Sequence, residues 1–419
     1  MRILAIASLY PLSHADNAGQ ARHVSFRALV AQGHDIEVIR PQMRLYQWIS
    51  RDWRLKSGQH VPLRYELDGV PVACPRFWRL PGRYWRPYEA SWRYGPVARL
   101  VRRAHTAKPF DVIYGCELVS DGVVAVRLGR EMKLPVMLSS IGSDAHTYPY
   151  QSKRAMTVTR KVLCEADLIL VEGAGAVEDI RRLTTHTAPI HVFSRGIDLS
   201  RFEGALSKDA AREKHGLPRG RRLIVFVGTL NESKGVLVLA EAFAQIAPRH
   251  ADADLVYVGS GTMFDDIRTM TATAGLSDRV HLLGKRPFSE VPHILLACDV
   301  FCLPSFAEGL PKSVVEGMAA GLPVVATNVG GIPDVMSHGE CGILVSPRDV
   351  NGLAGALDRL LANPDEAARM GSVGQAIART HFDTVKNAAG ILRFAEEAIA
   401  RGNTRMAQSE GSGWPAQSV

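Results

Sequence analysis

Short apolar runs alternate along the chain with stretches whose apolar positions recur every three or four residues. Ile3–Ala7, Ile36–Ile39, Val112–Tyr114, Val136–Ser139 and Leu168–Val171 hold few polar positions, the pattern of strands buried on both faces of a parallel sheet. Between them, residues 21–32, 122–131 and 176–183 read as amphipathic crossover helices. Ile190–Phe193 closes the series, and Ser194–Phe202, with Ser194-Arg195-Gly196-Ile197-Asp198, reads as a turn between domains. The rhythm then restarts. Strands are predicted over Leu223–Val227, Leu255–Val258, Val280–Leu283, Val300–Leu303, Val324–Ala326 and Gly342–Val345. Helices are predicted over 236–247, 264–274, 291–297 and 313–320, with a helical tail over 350–361 and 364–400. Residues 44–95, rich in Trp, Arg, Pro and Gly, break the pattern. Inside them, Leu63–Glu66 and Val70–Ala73 form a hairpin-like pair joined by Leu67-Asp68-Gly69. The expected organisation is a first domain over 1–194 with the insertion 44–95 and a second over 195–384. A helix over 385–401 packs back on the first domain, and a Ser/Gly/Gln-rich tail over 402–419 is expected to be disordered.

With 419 residues, 46% hydrophobic content and a mean hydropathy of -0.01, the chain fits two globular α/β domains. No run approaches the roughly 18 apolar residues of a membrane span. Ile3–Leu9 is short and lacks a cleavage site, so it reads as a buried first strand rather than a signal peptide. The six cysteines form no Cys-x-x-Cys pair and read as reduced thiols. These features point to the cytoplasm. Charge adds one refinement, because the first 110 residues hold eighteen Lys/Arg against seven Asp/Glu and five of the six tryptophans. Either this is a face for an anionic membrane surface or a diphosphate-bearing acceptor, or it is an insertion packed on its own aromatics. The first reading makes the protein peripheral at the inner face of the cytoplasmic membrane. No motif supports nucleic acid as a partner.

Chemistry concentrates in the second half. Glu308-Gly309-Leu310-Pro311-Lys312-Ser313-Val314-Val315-Glu316 runs from a strand end into a helix. Pro311 suits the first helical turn, and the amides from Gly309 to Ser313 make a positive pole for oxyanions. Two carboxylates eight residues apart lie about 12 Å apart along a helix. That is the separation of two ends of one extended ligand rather than of an acid/base pair on one bond. On this reading Glu308 grips a sugar, Glu316 a ribose, and a diphosphate lies between. The alternative is that Glu308 caps its turn and Glu316 is a solvated helix residue. Gly228-Thr229-Leu230-Asn231-Glu232-Ser233-Lys234-Gly235 is a second strand-to-helix turn. Its Lys234 either reaches a diphosphate as a compact charge or is a solvated lysine at a helix start. Gly259-Ser260-Gly261 is a third turn. Phe264 breaks the dinucleotide fingerprint there, which argues against a nicotinamide or flavin enzyme.

Taken together, these motifs resemble the donor domain of the large retaining glycosyltransferase family with the GT-B fold. The resemblance includes Gly196-Ile197-Asp198 with Phe202, Gly228 with Lys234-Gly235, Gly259-Ser260-Gly261 and Leu283-Gly284. It continues through Pro304-Ser305, Glu308-Gly309, Glu316-Gly317-Met318-Ala319, Gly321-Leu322-Pro323 and Gly330-Gly331-Ile332-Pro333. Tyr10-Pro11, Gly33-His34, Asp68-Gly69-Val70, Phe110-Asp111 and Asp121-Gly122 are similar to the branch that builds bacterial exopolysaccharide and teichuronic-acid-type polymers. The resemblance implies an α/β chain of two Rossmann-like doubly wound domains facing across a cleft. It implies transfer of a hexosyl group, with retention, from a UDP- or GDP-sugar to a glycan or polyprenyl-diphosphate-linked acceptor. Neither a cofactor nor a metal is expected. By the same resemblance Glu308, with Gly309, Leu310, Pro311 and Lys312, holds donor sugar and phosphate. Glu316 holds the ribose, Lys234 clamps the diphosphate, and the backbone at Arg286 reads the base edge. Gly228, Thr229 and Gly259 belong to the donor turns, and the Gly19 amide approaches the phosphate. Asp144, in Ile141-Gly142-Ser143-Asp144, is the acceptor-side carboxylate.

There are two departures. Thr229 stands where the family usually carries Arg, which leaves the leaving-group charge to Lys234 and the helix amides. Ile141 stands where His or Arg is common, with His146 as the nearby substitute. Two rivals follow: a GT-B nucleotide-sugar epimerase, and a non-catalytic subunit that binds sugar nucleotides as a scaffold.

Overall fold

The computed structural model describes residues 1–14, 16, 19–44, 61–78, 88–140, 142–184, 188–204 and 206–411. Contacts divide the chain into two units. The first comprises Met1–Ser13, Ala18–Phe193 and Val385–Val419; the second comprises Ser194–Thr384 with His14–Asn17.

The first unit opens with β1 (Arg2–Ile6), α1 (Gln20–Ala31), β2 (Asp35–Ile39) and β3 (Gln42–Arg44). It continues with β4 (Arg64–Leu67), β5 (Val70–Ala73), β6 (Arg76–Trp78) and α2 (Glu89–Ala107). Then come β7 (Val112–Gly115), α3 (Gly122–Met132), β8 (Val136–Ser139) and the single turn α4 (Ser143–His146). It closes with α5 (Lys153–Glu165), β9 (Leu168–Val171), α6 (Gly175–Leu183) and β10 (Ile190–Val192). Its main sheet has the order β10-β9-β8-β7-β1-β2-β5-β4, parallel except for the β4/β5 hairpin. The hairpin turn is tighter than expected. Leu67 still pairs with Val70, and only Asp68 and Gly69 form the loop, at φ +47° and +78°. A two-residue loop with both φ values positive matches the right-handed strand twist, and Asp-Gly is a favoured sequence for it.

The second unit holds α7 (Lys208–His215), β11 (Arg222–Val227), α8 (Val236–Ile246), β12 (Ala253–Val258), α9 (Phe264–Thr273) and β13 (Val280–Leu282). It goes on with α10 (Val291–Leu296), β14 (Val300–Leu303), α11 (Lys312–Ala319), β15 (Val324–Thr327) and β16 (Gly342–Val345). Two helices follow, α12 (Val350–Ala362) and α13 (Pro364–His381). All six strands are parallel, in the order β13-β12-β11-β14-β15-β16. Helices cover the sheet, so β11, β12 and β14 are buried almost throughout, which is why they read as continuous apolar runs.

The helical tail departs from expectation at two points. Instead of running to residue 400 it stops at His381, because the next residues bridge back to the domain boundary. Ile197 N donates to Phe382 O at 2.8 Å, and Thr384 N donates to Ile197 O at 3.0 Å. Gly196, at φ +73°, lies so close that a Cβ there would sit 2.2 Å from Phe382 O. A new helix, α14 (Thr384–Gly411), then begins. Its Ala388, Ile391, Phe394, Ala395 and Ala398 belong to a core of the first unit together with residues of β1, β2, β5 and β7. It also continues through residues 402–411, where disorder was expected. Gly402 packs on Pro135, and Arg405 bonds Asp167 at 3.1 Å and the Glu165 carbonyl. Residues 412–419 lie outside the described residues.

Of the basic aromatic face, Trp48, Trp53 and Trp85 lie outside the described residues. Trp78 is half exposed with the Arg44 guanidinium 5.6 Å from its ring, and Trp92 stacks on Tyr88. No helix of the described residues is long and apolar enough to cross a membrane.

If α14 is an integral part of the first unit, Ile391→Ala costs about 3 kcal/mol of unfolding free energy, as fully buried aliphatic truncations do. Val385→Ala, at an exposed position of the same helix, changes stability by less than about 0.5 kcal/mol. Urea denaturation of both variants checks this.

Candidate functional site

In a doubly wound sheet, ligands bind outside the carboxyl ends of the strands, where the strand order reverses. In the second unit the chain steps from β11 outward to β12 and β13, then returns past β11 to β14, β15 and β16. The reversal therefore falls between β11 and β14. The loops leaving these two strands carry Lys234 and Glu308.

Backbone contact brings the loops together. Gly235, at φ +64°, presses on the β14 loop so closely that a Cβ would sit 2.0 Å from Pro304 O. Phe306 N donates to Ser233 O at 2.8 Å. The turn holding Lys234 is set by Asn231, whose Oδ1 accepts from Lys234 N at 3.2 Å and from Ser233 Oγ at 2.9 Å. Lys234 Nζ then lies 2.6 Å from Glu308 Oε1, which also accepts from Ser305 Oγ at 2.6 Å. The Glu308 side chain is 8% exposed and that of Lys234 26%. Glu308 is thus neither a simple turn cap nor a solvated acid, and Lys234 is not a solvated lysine.

Neighbouring loops close on the same place. Gly330 and Gly331, after β15, lie on the Glu308–Gly309 backbone: a Cβ on Gly330 would be 1.8 Å from Glu308 O, and Gly331 N donates to Gly309 O. On the other side Gly259 lies against Gly228 O and donates its N–H to Gly284 O at 2.9 Å. Thr229 is exposed, its carbonyl accepting from Asn231 N. Leu310, partly buried, packs on the core.

Pro311 is not in the first helical turn, as expected, but is the N-cap of α11, with extended backbone at ψ 100°. The helix therefore begins at Lys312, and its first-turn N–H groups, which helix geometry leaves without intrahelical acceptors, belong to Lys312 and Ser313. Glu316 is buried rather than solvated, and its Oε1 accepts from Arg201 Nη1 at 2.8 Å. The periodicity gave no signal for Arg201. The guanidinium of Arg286 lies near His215. After burial, and together with Lys214, it holds that imidazole below its ordinary pKa against the opposing pull of Glu290.

The first unit places its residues differently. Gly19 caps α1 at φ +81°, and a Cβ there would sit 2.5 Å from Leu9 O. Asp144 is buried, with Oδ2 accepting from Leu118 N at 2.8 Å and Oδ1 from Ser140 Oγ at 2.7 Å. Its carboxylate braces the loops after β7 and β8. His146 is exposed, its Nδ1 2.8 Å from Thr147 Oγ1. Ile141 lies outside the described residues.

Sequence reasoning also missed a buried charge cluster where this sheet reverses, between β1 and β7. Asp121 is fully buried and accepts from Ser8 N and Ser8 Oγ. Arg93 donates to Ser8 Oγ at 2.7 Å and lies 3.5 Å from Asp121. Burial, reinforced by Glu117, pushes the Asp121 carboxyl up to about 7, against the opposing pull of Arg93 and Ser8.

Comparison with known proteins agrees with this architecture. Residues 207–376 match the family profile described as Glycosyl transferases group 1, and residues 19–196 match the Glycosyl transferase 4-like domain. TuaC of Bacillus subtilis, a candidate teichuronic acid biosynthesis glycosyltransferase, is 29% identical over 400 residues, covering 93% of this chain and 96% of that one. The fold is that of sucrose-phosphate synthase from Thermosynechococcus elongatus (TM-score 0.73, 20% identity, 95% of this chain and 99% of that one). It is also that of Anabaena HepE, solved in complex with UDP (TM-score 0.71, 21% identity, 94% and 99%).

Asp121 generates a pH prediction. A carboxyl whose folded pKa of about 7 exceeds its ordinary value of 3.8 carries its proton into the folded state. The associated stability is fully present below the lower value and is lost as pH rises through the higher one. Unfolding free energy should fall between pH 4 and 7, and Asp121→Asn should flatten that slope, measured by urea denaturation across the range.

Proposed function

We propose that this chain, which belongs to the Glycosyl transferases group 1 family of GT-B glycosyltransferases, transfers a hexosyl group from a UDP- or GDP-sugar to a glycan or polyprenyl-diphosphate-linked acceptor, with retention, in cell-surface polysaccharide synthesis. The observation that carries the proposal is the Lys234–Glu308 pair, set between converging strand-end loops beside the start of α11.

As the glycosidic C–O bond to the diphosphate weakens, negative charge grows on the departing oxygens. Lys234 exchanges Glu308 for that diphosphate and, with the amides at Lys312 and Ser313, stabilises the charge as a preorganised electrostatic site. Glu308, released from the lysine, accepts hydrogen bonds from hydroxyls of the transferred sugar. Glu316 holds the ribose, and the backbone at Arg286 meets the base. The acceptor hydroxyl attacks from the face the diphosphate leaves and gives its proton to the departing phosphate oxygen, so configuration is retained without an enzyme nucleophile. Asp144 serves the acceptor side by bracing its loops, with His146 the exposed polar group beside it. The protein side chains carry the leaving-group charge, and the reaction needs no metal.

Glu308→Ala should abolish transfer while the protein still folds; near-normal turnover would remove the carboxylate from the site. Lys234→Ala should lower turnover by about 10²-fold or more, as the loss of one preorganised charge-stabilising group does. Activity should survive EDTA, whereas loss restored by a divalent cation would refute metal independence. The basic first 110 residues support peripheral association with an anionic membrane surface. Salt-sensitive flotation with phosphatidylglycerol vesicles is expected, and its absence would contradict it.

A further inference from the structure

Arg201 has no role in the reading above. It lies in the 3-10 turn Leu199–Phe202, directly after Gly196-Ile197-Asp198. Asp198 shapes that turn, its Oδ1 accepting from Ser200 N at 3.1 Å and Ser200 Oγ at 2.6 Å. The guanidinium carbon lies over the Phe288 ring, 3.4 Å from its centroid. Nη1 donates to Glu316 Oε1 at 2.8 Å, while Nη2 donates to the backbone carbonyl of Phe288. The side chains of Arg201 and Glu316 are each only 11% exposed.

One planar cation therefore joins α11, through Glu316, to the loop between β13 and α10, which contains Arg286 and Phe288. These are the two places the proposed function gives to the ribose and the base. An ammonium could not make both contacts and stack on the ring, because it lacks the planar fork. The pairing also compensates a nearly buried carboxylate, which would be costly to leave alone. Among the described hydrogen bonds the Glu316 carboxylate accepts only through Oε1, which leaves Oε2 for a ligand hydroxyl.

We propose that Arg201 is the positioning residue of the nucleoside half of the site: it fixes the Glu316 carboxylate against the 284–290 loop, so that one ribose is held at the spacing its base requires. This deepens the proposed function and rests on it.

Titration calorimetry of the full chain with UDP, GDP and their 2′,3′-dideoxy counterparts tests it. Wild type should bind at least one diphosphate and prefer its ribose form. Arg201→Ala should weaken binding of that ribose form about tenfold, the scale of a lost hydrogen bond to a charged group, while the dideoxy form stays within about twofold of wild type. Arg201→Lys keeps the charge without the fork and should recover only part of the preference, which keeps the test open if the alanine variant unfolds. Equal weakening of both forms by Arg201→Ala, no weakening at all, or full preference in Arg201→Lys would overturn the assignment. If Glu316→Ala erases the ribose preference while the Arg201 variants keep it, the assignment of Arg201 falls and the donor-site reading stands. If wild type binds neither diphosphate, or Glu316→Ala keeps the preference, the donor-site reading falls and takes Arg201 with it.

Discussion

Backbone pressed on backbone decides where the charges of this chain meet. Gly235 against Pro304, Gly330 against Glu308 and Gly259 against Gly228 are contacts that a Cβ would block at 2.0 Å or less. They draw four strand-end loops of the second sheet onto one place. Lys234 and Glu308 lie 74 residues apart in sequence and meet because these glycines let the loops touch. The parallel sheet supplies the platform, and its reversal between β11 and β14 supplies the gap.

The charges are balanced in pairs. Lys234 holds Glu308, and Arg201 holds Glu316. Each carboxylate is largely withdrawn from water, so each requires its cation. In the proposed reaction an anionic diphosphate replaces Glu308 as the partner of Lys234 and frees that carboxylate for hydroxyls. Arg201, held by a ring and a carbonyl as well as by Glu316, has no such reason to move. The two pairs are chemically alike and differ in what else holds the cation: Arg201 has Phe288 as a second anchor, and the Lys234 side chain is the more exposed of the two cations. Thr229, exposed in the same loop as Lys234, adds no second cation to compete for Glu308.

Much of the fold was legible because parallel strands buried on both faces leave continuous apolar runs, and because loop glycines mark places where only hydrogen fits. Glu308, Glu316 and Lys234 stood out through their positions at strand ends and a helix start. Their partners did not. Nothing local to Arg201 announces Glu316, 115 residues on, or distinguishes Asp121 from an ordinary helix-start acid. The buried carboxylate of Asp144 shows the same limit from the other side, since its motif is local but its bracing of Leu118 is not. The end of α13 was missed because a bridge to Ile197 stops it. The extension of α14 was missed because contacts with Pro135, Asp167 and Glu165 sustain a polar sequence as helix.

The most direct test of the central claim is a crystal structure of the chain with a bound nucleoside diphosphate. The diphosphate is expected at the start of α11, with Lys234 Nζ moved from Glu308 onto a phosphate oxygen and Arg201 still on Glu316. A diphosphate bound elsewhere while Lys234 stays on Glu308 would contradict it.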